Sequence, residues 1–131
     1  MRDRIAELGI ADQVQFDGFV SPLPEWLANI DLLVVPSTCD DASPLVMLEA
    51  MSVGTPAVGT RMGGIPEILR DDLESCLVAG LTPQSLAEVI QDALQADLQQ
   101  LGEKGRQQIL RDHTIEEQMR LLEKSLKSYE N

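Results

Sequence analysis

Two carboxylates eight residues apart, Asp41 and Glu49, flank the start of a helix in the stretch LLVVPSTCDDASPLVMLEAMSVGTPAVGTRMGGIPE, residues 32 to 67. The helix is predicted to open near Pro44, which places the N–H groups of Leu45 and Val46 in its first turn. First-turn amides lack an intrahelical acceptor, and the helix dipole adds partial positive charge there. An anion such as a diphosphate suits that position. Glu49 follows in an apolar context, VMLEAM. An ionised carboxylate so placed needs a partner, and a ligand hydroxyl is one. A plain structural reading stands beside this one. Asp40, Asp41 and Ser43 then cap the helix, Glu49 makes a hydrogen bond within the fold, and Gly63 and Gly64 are turn residues before the next helix.

The surrounding pattern alternates strands and helices. Residues 2–8 read as the end of a helix stopped by Gly9. Residues 14–20 (VQFDGFV) alternate apolar and polar and predict a strand. Residues 23–30 form a short amphipathic helix with Pro24 in its first turn and Trp26 as its anchor on the sheet. Residues 31–36 (DLLVVP) are an apolar run expected of a strand buried on both faces of a parallel sheet. A helix over 44–53, a strand over 55–60, a helix from Ile65 to Leu69 and a last strand over 76–79 follow. From Thr82 onward the pattern is helical: a segment capped by Thr82, a second over about 97–111, and a third over 115–129. Thr114 and Glu117 have capping-box spacing before the third. This order predicts an α/β layer structure with a Rossmann-like parallel sheet of about four strands flanked by helices. Right-handed crossovers put the loops after Val20, Pro36 and Thr60 on one sheet edge, where such sheets bind ligands.

Composition narrows the function classes. The chain has 131 residues, enough for one core, and its 44% hydrophobic content argues against disorder. Aromatics are only 3%, so the core must be aliphatic. A net charge of −12 repels phosphate backbones and anionic lipid, which argues against nucleic acid and direct membrane insertion. Cys39 and Cys76 are too few and too far apart for a metal framework, and read as reduced thiols. No apolar run reaches membrane-spanning length and the N-terminus is charged, so a cytoplasmic location is expected. The lone histidine, His113, falls between helices and reads as a surface or capping residue.

The string PSTCDDASPLVMLEAMSVGTPAVGTRMGGIPEIL resembles the signature of retaining nucleotide-sugar glycosyltransferases of the GT-B architecture, the group 1 class (family 4). That signature runs Pro-Ser, Glu, seven residues, Glu-Ala-Met, a Gly-x-Pro strand and Gly-Gly-x-x-Glu. The likeness extends to VQFDGFV and LPEWLANIDLLVVPS, and in all to roughly residues 5–125. It implies that Glu49 binds the ribose hydroxyls and that Asp41, Ser43 and Pro44 meet the donor sugar. It further implies that the Leu45 and Val46 backbone meets the diphosphate, that Gly18, Phe19 and Val20 lie near the base, and that Gly63 and Gly64 form a turn of packing or ligand contact. The implied donor is a UDP- or GDP-linked sugar, with no cofactor and no metal. On this basis residues 1–131 are expected to be a single partial GT-B C-terminal domain, with C-terminal helices over 83–129.

The chain departs from the family pattern in ways that bear on chemistry. Asp41 stands where the family has glutamate, which shortens its reach by about 1.5 Å. Ser43-Pro44 replaces the usual Phe-Gly type of pair, and Cys76 a usual glycine. No stretch matches the two strand-helix units that carry an Arg and a Lys for the diphosphate in the family, or the acceptor domain. If the strands follow the order 3-2-1-4-5-6, the strand at Leu32 is left as an exposed apolar edge, covered by repacking, a complementary chain or a homodimer contact. The resulting expectation is the donor-binding part of a sugar transferase, inactive alone. The alternatives are a non-catalytic nucleotide-sugar-binding module and an assembly subunit completed by a partner chain.

Overall fold

A computed structural model of the chain describes residues 1–40 and 43–129. Its sheet has three parallel strands in the order β1-β2-β3: β1 Leu33–Val35, β2 Ala57–Thr60 and β3 Leu77–Val78. The helices are α1 Arg2–Glu7, α2 Leu23–Leu27, α3 Leu45–Ser52, α4 Ile65–Ile68, α5 Pro83–Gln95, α6 Leu98–Asp112 and α7 Ile115–Tyr129. Short 3-10 turns occupy Ala11–Gln13 and Asp71–Cys76. The α/β class, the parallel sheet and the flanking helices are as the sequence pattern predicts.

The strand expected over 14–20 does not form, so the described residues carry three strands rather than about four. A strand exists only where a neighbour completes its hydrogen-bond ladder, and no described strand pairs with this segment. Gly18, at φ +69°, also breaks the extended path. The alternation there buries no face: Phe16 is 44% exposed, with the Arg2 guanidinium 4.2 Å above its ring.

Strands β2 and β3 are buried throughout, and the apolar run around β1 is not. All four β2 residues and both β3 residues are buried, whereas β1, one of the two edge strands, is half-buried. The expected apolar edge at Leu32 is therefore present in milder form. The core is aliphatic as composition requires, centred on Met47, Met51, Val58, Ile65, Leu69 and Val78. Leu27, fully buried, anchors α2, while Trp26 stays half-buried. The Thr55 hydroxyl fixes α2 further by donating to the Leu27 carbonyl at 2.7 Å.

The helical half is defined by caps and by one close crossing. Thr82 accepts from the Ser85 N–H at 3.1 Å, and Asp97 accepts from the Gln100 N–H at 3.0 Å. Thr114 accepts from the Glu117 N–H at 3.3 Å, but the Glu117 carboxylate pairs with Arg120, so half of the capping box forms. Helix α6 crosses α3 through Gly102 and Gly105. A Cβ on Gly102 would lie 1.9 Å from the Gly54 carbonyl oxygen, which is backbone and has little room to move. The buried Gln108 amide donates to the Ile68 carbonyl and ties α6 to the end of α4. Nearby, Asp112 accepts from Arg111 at 2.8 and 2.9 Å and from Arg70 at 2.7 Å. These donors, Arg111 first, hold the Asp112 carboxyl at about 2, below its ordinary 3.8.

Two outcomes follow for stability. Gly102→Ala gains about 1 kcal/mol of helix preference, but displacing a backbone carbonyl costs more, so urea unfolding should show a net loss of about 1 kcal/mol or more. Equal or greater stability would contradict the close crossing. Because the folded pKa of Asp112 is depressed, its contribution is present above pH 3.8 and is lost as pH falls through about 2. Carboxyl NMR should show Asp112 titrating near 2, and a midpoint at its ordinary value would show that the two arginines do not engage it.

Candidate functional site

The carboxyl ends of β1 and β2 deliver two loops to the same sheet edge, residues 36–44 and 61–64. Two hydrogen bonds join them. The buried Thr60 hydroxyl donates to the Ser37 carbonyl at 2.7 Å. The Gly63 N–H donates to Asp40 Oδ1 at 3.2 Å. Gly63 sits at φ +50°, where a side chain would be strained, and this turn presents its amide to Asp40. Gly59 brings α3, which precedes β2, and α4, which follows it, close to the strand. A Cβ there would lie 2.8 Å from both Met47 in the first turn of α3 and Ile65 at the start of α4.

The helix start falls where the residue pattern placed it. Pro44 is the N-cap of α3 and is buried, with no side-chain acceptor to offer the first-turn amides. Leu45 is 69% exposed, Val46 half-buried and Ser43 exposed. Asp41 lies outside the described residues. Glu49 is exposed, one helical turn beyond Leu45, while Met47, Ala50 and Met51 point into the core. Leu45 and Glu49 thus share the open face of α3, and the Glu49 side chain leans toward the helix N-terminus. The expectation that Glu49 needs a partner to relieve burial is corrected here, because water reaches it. Asp40, expected to cap α3, instead spans to Gly63.

The remaining predicted residues divide. Gly63 is exposed and Gly64 buried, so only the first of the pair is open to a ligand. Phe19 is 96% exposed and Val20 half-buried. With Gly18 they line an open groove shared with Phe16, Leu23 and Trp26, drawn wholly from residues 15–26. Of the ten Lys and Arg residues, Arg61 alone falls within the loops at 36–44 and 61–64. Its guanidinium is 3.5 Å from Glu74, and both side chains are about half or more exposed, so the pair contributes little. Among the described residues no cluster of His, Cys, Asp and Glu could hold a metal, and no helix is long and apolar enough to cross a membrane. Cys39 is exposed and Cys76 buried, and burial pushes the Cys76 thiol upward in pKa.

Sequence reasoning missed Thr60 and Gly59, and gave Asp40 the wrong role. Their partners lie across the sheet edge, 23 residues away for both Thr60–Ser37 and Gly63–Asp40. The available signal was a threonine ending a strand just before a Gly-Gly turn.

Chemically, the edge combines a helix N-terminus, a carboxylate on the same open face, and a neighbouring glycine turn held against the helix-bearing loop. The sequence model of the family described as glycosyl transferases, group 1, matches residues 1–96. The chain belongs to this family. D-inositol 3-phosphate glycosyltransferase of Streptomyces griseus is 38% identical over 87 residues, which are 65% of this chain and 18% of that enzyme. The enzyme of the same name from Paenarthrobacter aurescens is 36% identical over 104 residues, 78% of this chain and 25% of its own length. Sucrose-phosphate synthase from Thermosynechococcus elongatus matches in structure with a TM-score of 0.78 at 28% identity, over 98% of this chain and 34% of that one. Anabaena HepE, solved in complex with UDP, matches with a TM-score of 0.77 at 25% identity, over 97% and 35%. This group 1 chain therefore spans a fifth to a quarter of those curated relatives and about a third of the solved chains. Its sheet and helices are part of the GT-B architecture, and the structural likeness continues through α6 and α7, beyond the residues that the family model matches.

Proposed function

We propose that this chain is the donor-binding part of a retaining sugar transferase, a single partial GT-B C-terminal domain over residues 1–131 with C-terminal helices over 83–129. The parent reaction moves a sugar from a nucleoside diphosphate to an acceptor hydroxyl. The bond from the anomeric carbon to the diphosphate breaks, one from that carbon to the acceptor oxygen forms, and the acceptor hydroxyl's proton passes to the departing diphosphate. The observation that carries this reading is the shared open face of α3, where Glu49 stands one turn from the Leu45 and Val46 amides. In this reading those amides and the helix dipole take the diphosphate, whose charge grows as it leaves. Glu49 accepts from the ribose hydroxyls. Asp41, Ser43 and Pro44 meet the sugar, Gly18, Phe19 and Val20 the base, and the Gly63–Gly64 turn closes the far side. UDP and GDP are the candidate carriers, and the UDP-bound relative supports the first. Two unpaired cysteines support a reducing, cytoplasmic setting.

A second reading is a subunit or non-catalytic module completed by another chain. It is favoured by one observation: β1 is a half-buried edge with no further strand beside it among the described residues.

Titration calorimetry with UDP, GDP and their hexose conjugates tests the donor site. The intact chain should bind at least one of them, and Glu49→Ala should weaken that binding roughly tenfold or more, the loss expected of a charge-assisted hydrogen bond. Absence of binding to every nucleotide would remove the donor reading. Sugar release and transfer assays on the isolated chain should show little or no turnover, and robust turnover would show that these residues suffice for catalysis.

A further inference from the structure

We infer that α7 is a self-association surface, pairing antiparallel with the α7 of a second copy of this chain. Ile115, Met119, Leu122 and Leu126 stand along one stripe and are 80%, 52%, 52% and 58% exposed. Their spacing of four, three and four is that of a coiled-coil seam. It also reads the same in both directions. Two copies laid antiparallel therefore meet rung on rung about a two-fold axis, Ile115 of one against Leu126 of the other and Met119 against Leu122.

Charge complementarity identifies the occupant as a second copy. The residue after each member of the stripe lies on one flank of it, and these are Glu116, Arg120, Glu123 and Lys127. Their signs alternate, so reversing the helix exchanges every sign. In the antiparallel pair Glu116 stands opposite Lys127 of the other copy, and Arg120 opposite Glu123. The residues before the stripe members, Thr114, Gln118, Leu121 and Ser125, are all uncharged. A parallel pair sets the charged flank against this one and leaves the alternation unused. The same four charges are also spaced for pairing within one helix, but that is not what α7 does. Arg120 turns to Glu117 at 2.8 Å, and Glu116, Glu123 and Lys127 make no ion pair among the described residues. The outer pair, Glu116 with Lys127, is thus open to form between copies. The stripe is only about 17 Å long, and each copy carries −12, so the dimer is weak and reversible.

Sedimentation velocity on the full chain at near-physiological salt tests this. The chain should pass from monomer to dimer with a midpoint on the order of 100 µM. Leu122→Glu, which puts a carboxylate beside the two-fold axis, should stay monomeric. Glu116→Lys and Lys127→Glu should each weaken the dimer about fivefold, because each sets like charges opposite one another twice. The double variant Glu116→Lys/Lys127→Glu should return to within about twofold of wild type. Net charge alone does not give this pattern: Glu116→Lys lowers the repulsion between copies, whereas Lys127→Glu raises it. Far-UV circular dichroism checks that α7 persists in each variant, and the charge variants test the contact even where Leu122→Glu loses helix. A monomer at every concentration would overturn the inference and assign the stripe to a different chain. Dimerisation of Leu122→Glu at wild-type strength would place the contact elsewhere. Single variants that shift in opposite directions, or a double variant that is not restored, would overturn the antiparallel register.

Discussion

The parallel pairing of β2 with a strand on each side is the constraint on which the site depends. Its four residues are buried, and every loop of interest leaves the carboxyl end of β2 or of the strand beside it. The register sets Val35 opposite Gly59, so the two chains leave the sheet nearly level. Thr60 then reaches Ser37 without a detour. Glycine at position 59 matters for the same reason. With no side chain there, the first turn of α3 and the start of α4 both settle over the end of the strand. A site assembled this way inherits its precision from the sheet rather than from the loops.

Charge works against the nucleoside diphosphate proposed as the ligand. The chain carries a net −12, and Arg61 is the one basic residue in the loops at the edge, already turned toward Glu74. What remains for a diphosphate is backbone: helix-end amides whose partial charges are local and do not depend on net charge. Backbone donors orient an anion well but neutralise it poorly, which is the physical reason that the proposal above gives this edge only part of a donor site. The chain spans about a fifth to a quarter of the two curated relatives compared above.

The unpartnered surfaces are consistent with a larger whole. Strand β1 keeps a free side among the described residues. Helix α7 carries Ile115, Met119, Leu122 and Leu126 along one stripe, all more than half exposed, and none of its residues from 115 to 127 is buried. Spacing of four, three and four residues is that of a helix with a face to bury. Nothing within the described residues covers it.

Sequence by itself determined the elements whose signals are local. The helix stops at Gly9 and Gly54, both at positive φ, the Thr82 cap of α5, the three strands that do form and the start of α3 at Pro44 were all legible, because each rests on the backbone preferences of a few adjacent residues. The family was legible too, from an ordered run of residues at fixed spacing. Tertiary structure alone decided three things. Residues 14–20 alternate like a strand but lack a partner, and pairing is not a local property. Glu49 sits among apolar neighbours in the sequence yet faces water, because the core chose the Met47–Ala50–Met51 face of α3. Asp40 looked like a helix cap and is a cross-loop clasp, because its acceptor met Gly63, brought close only by the register of β1 on β2.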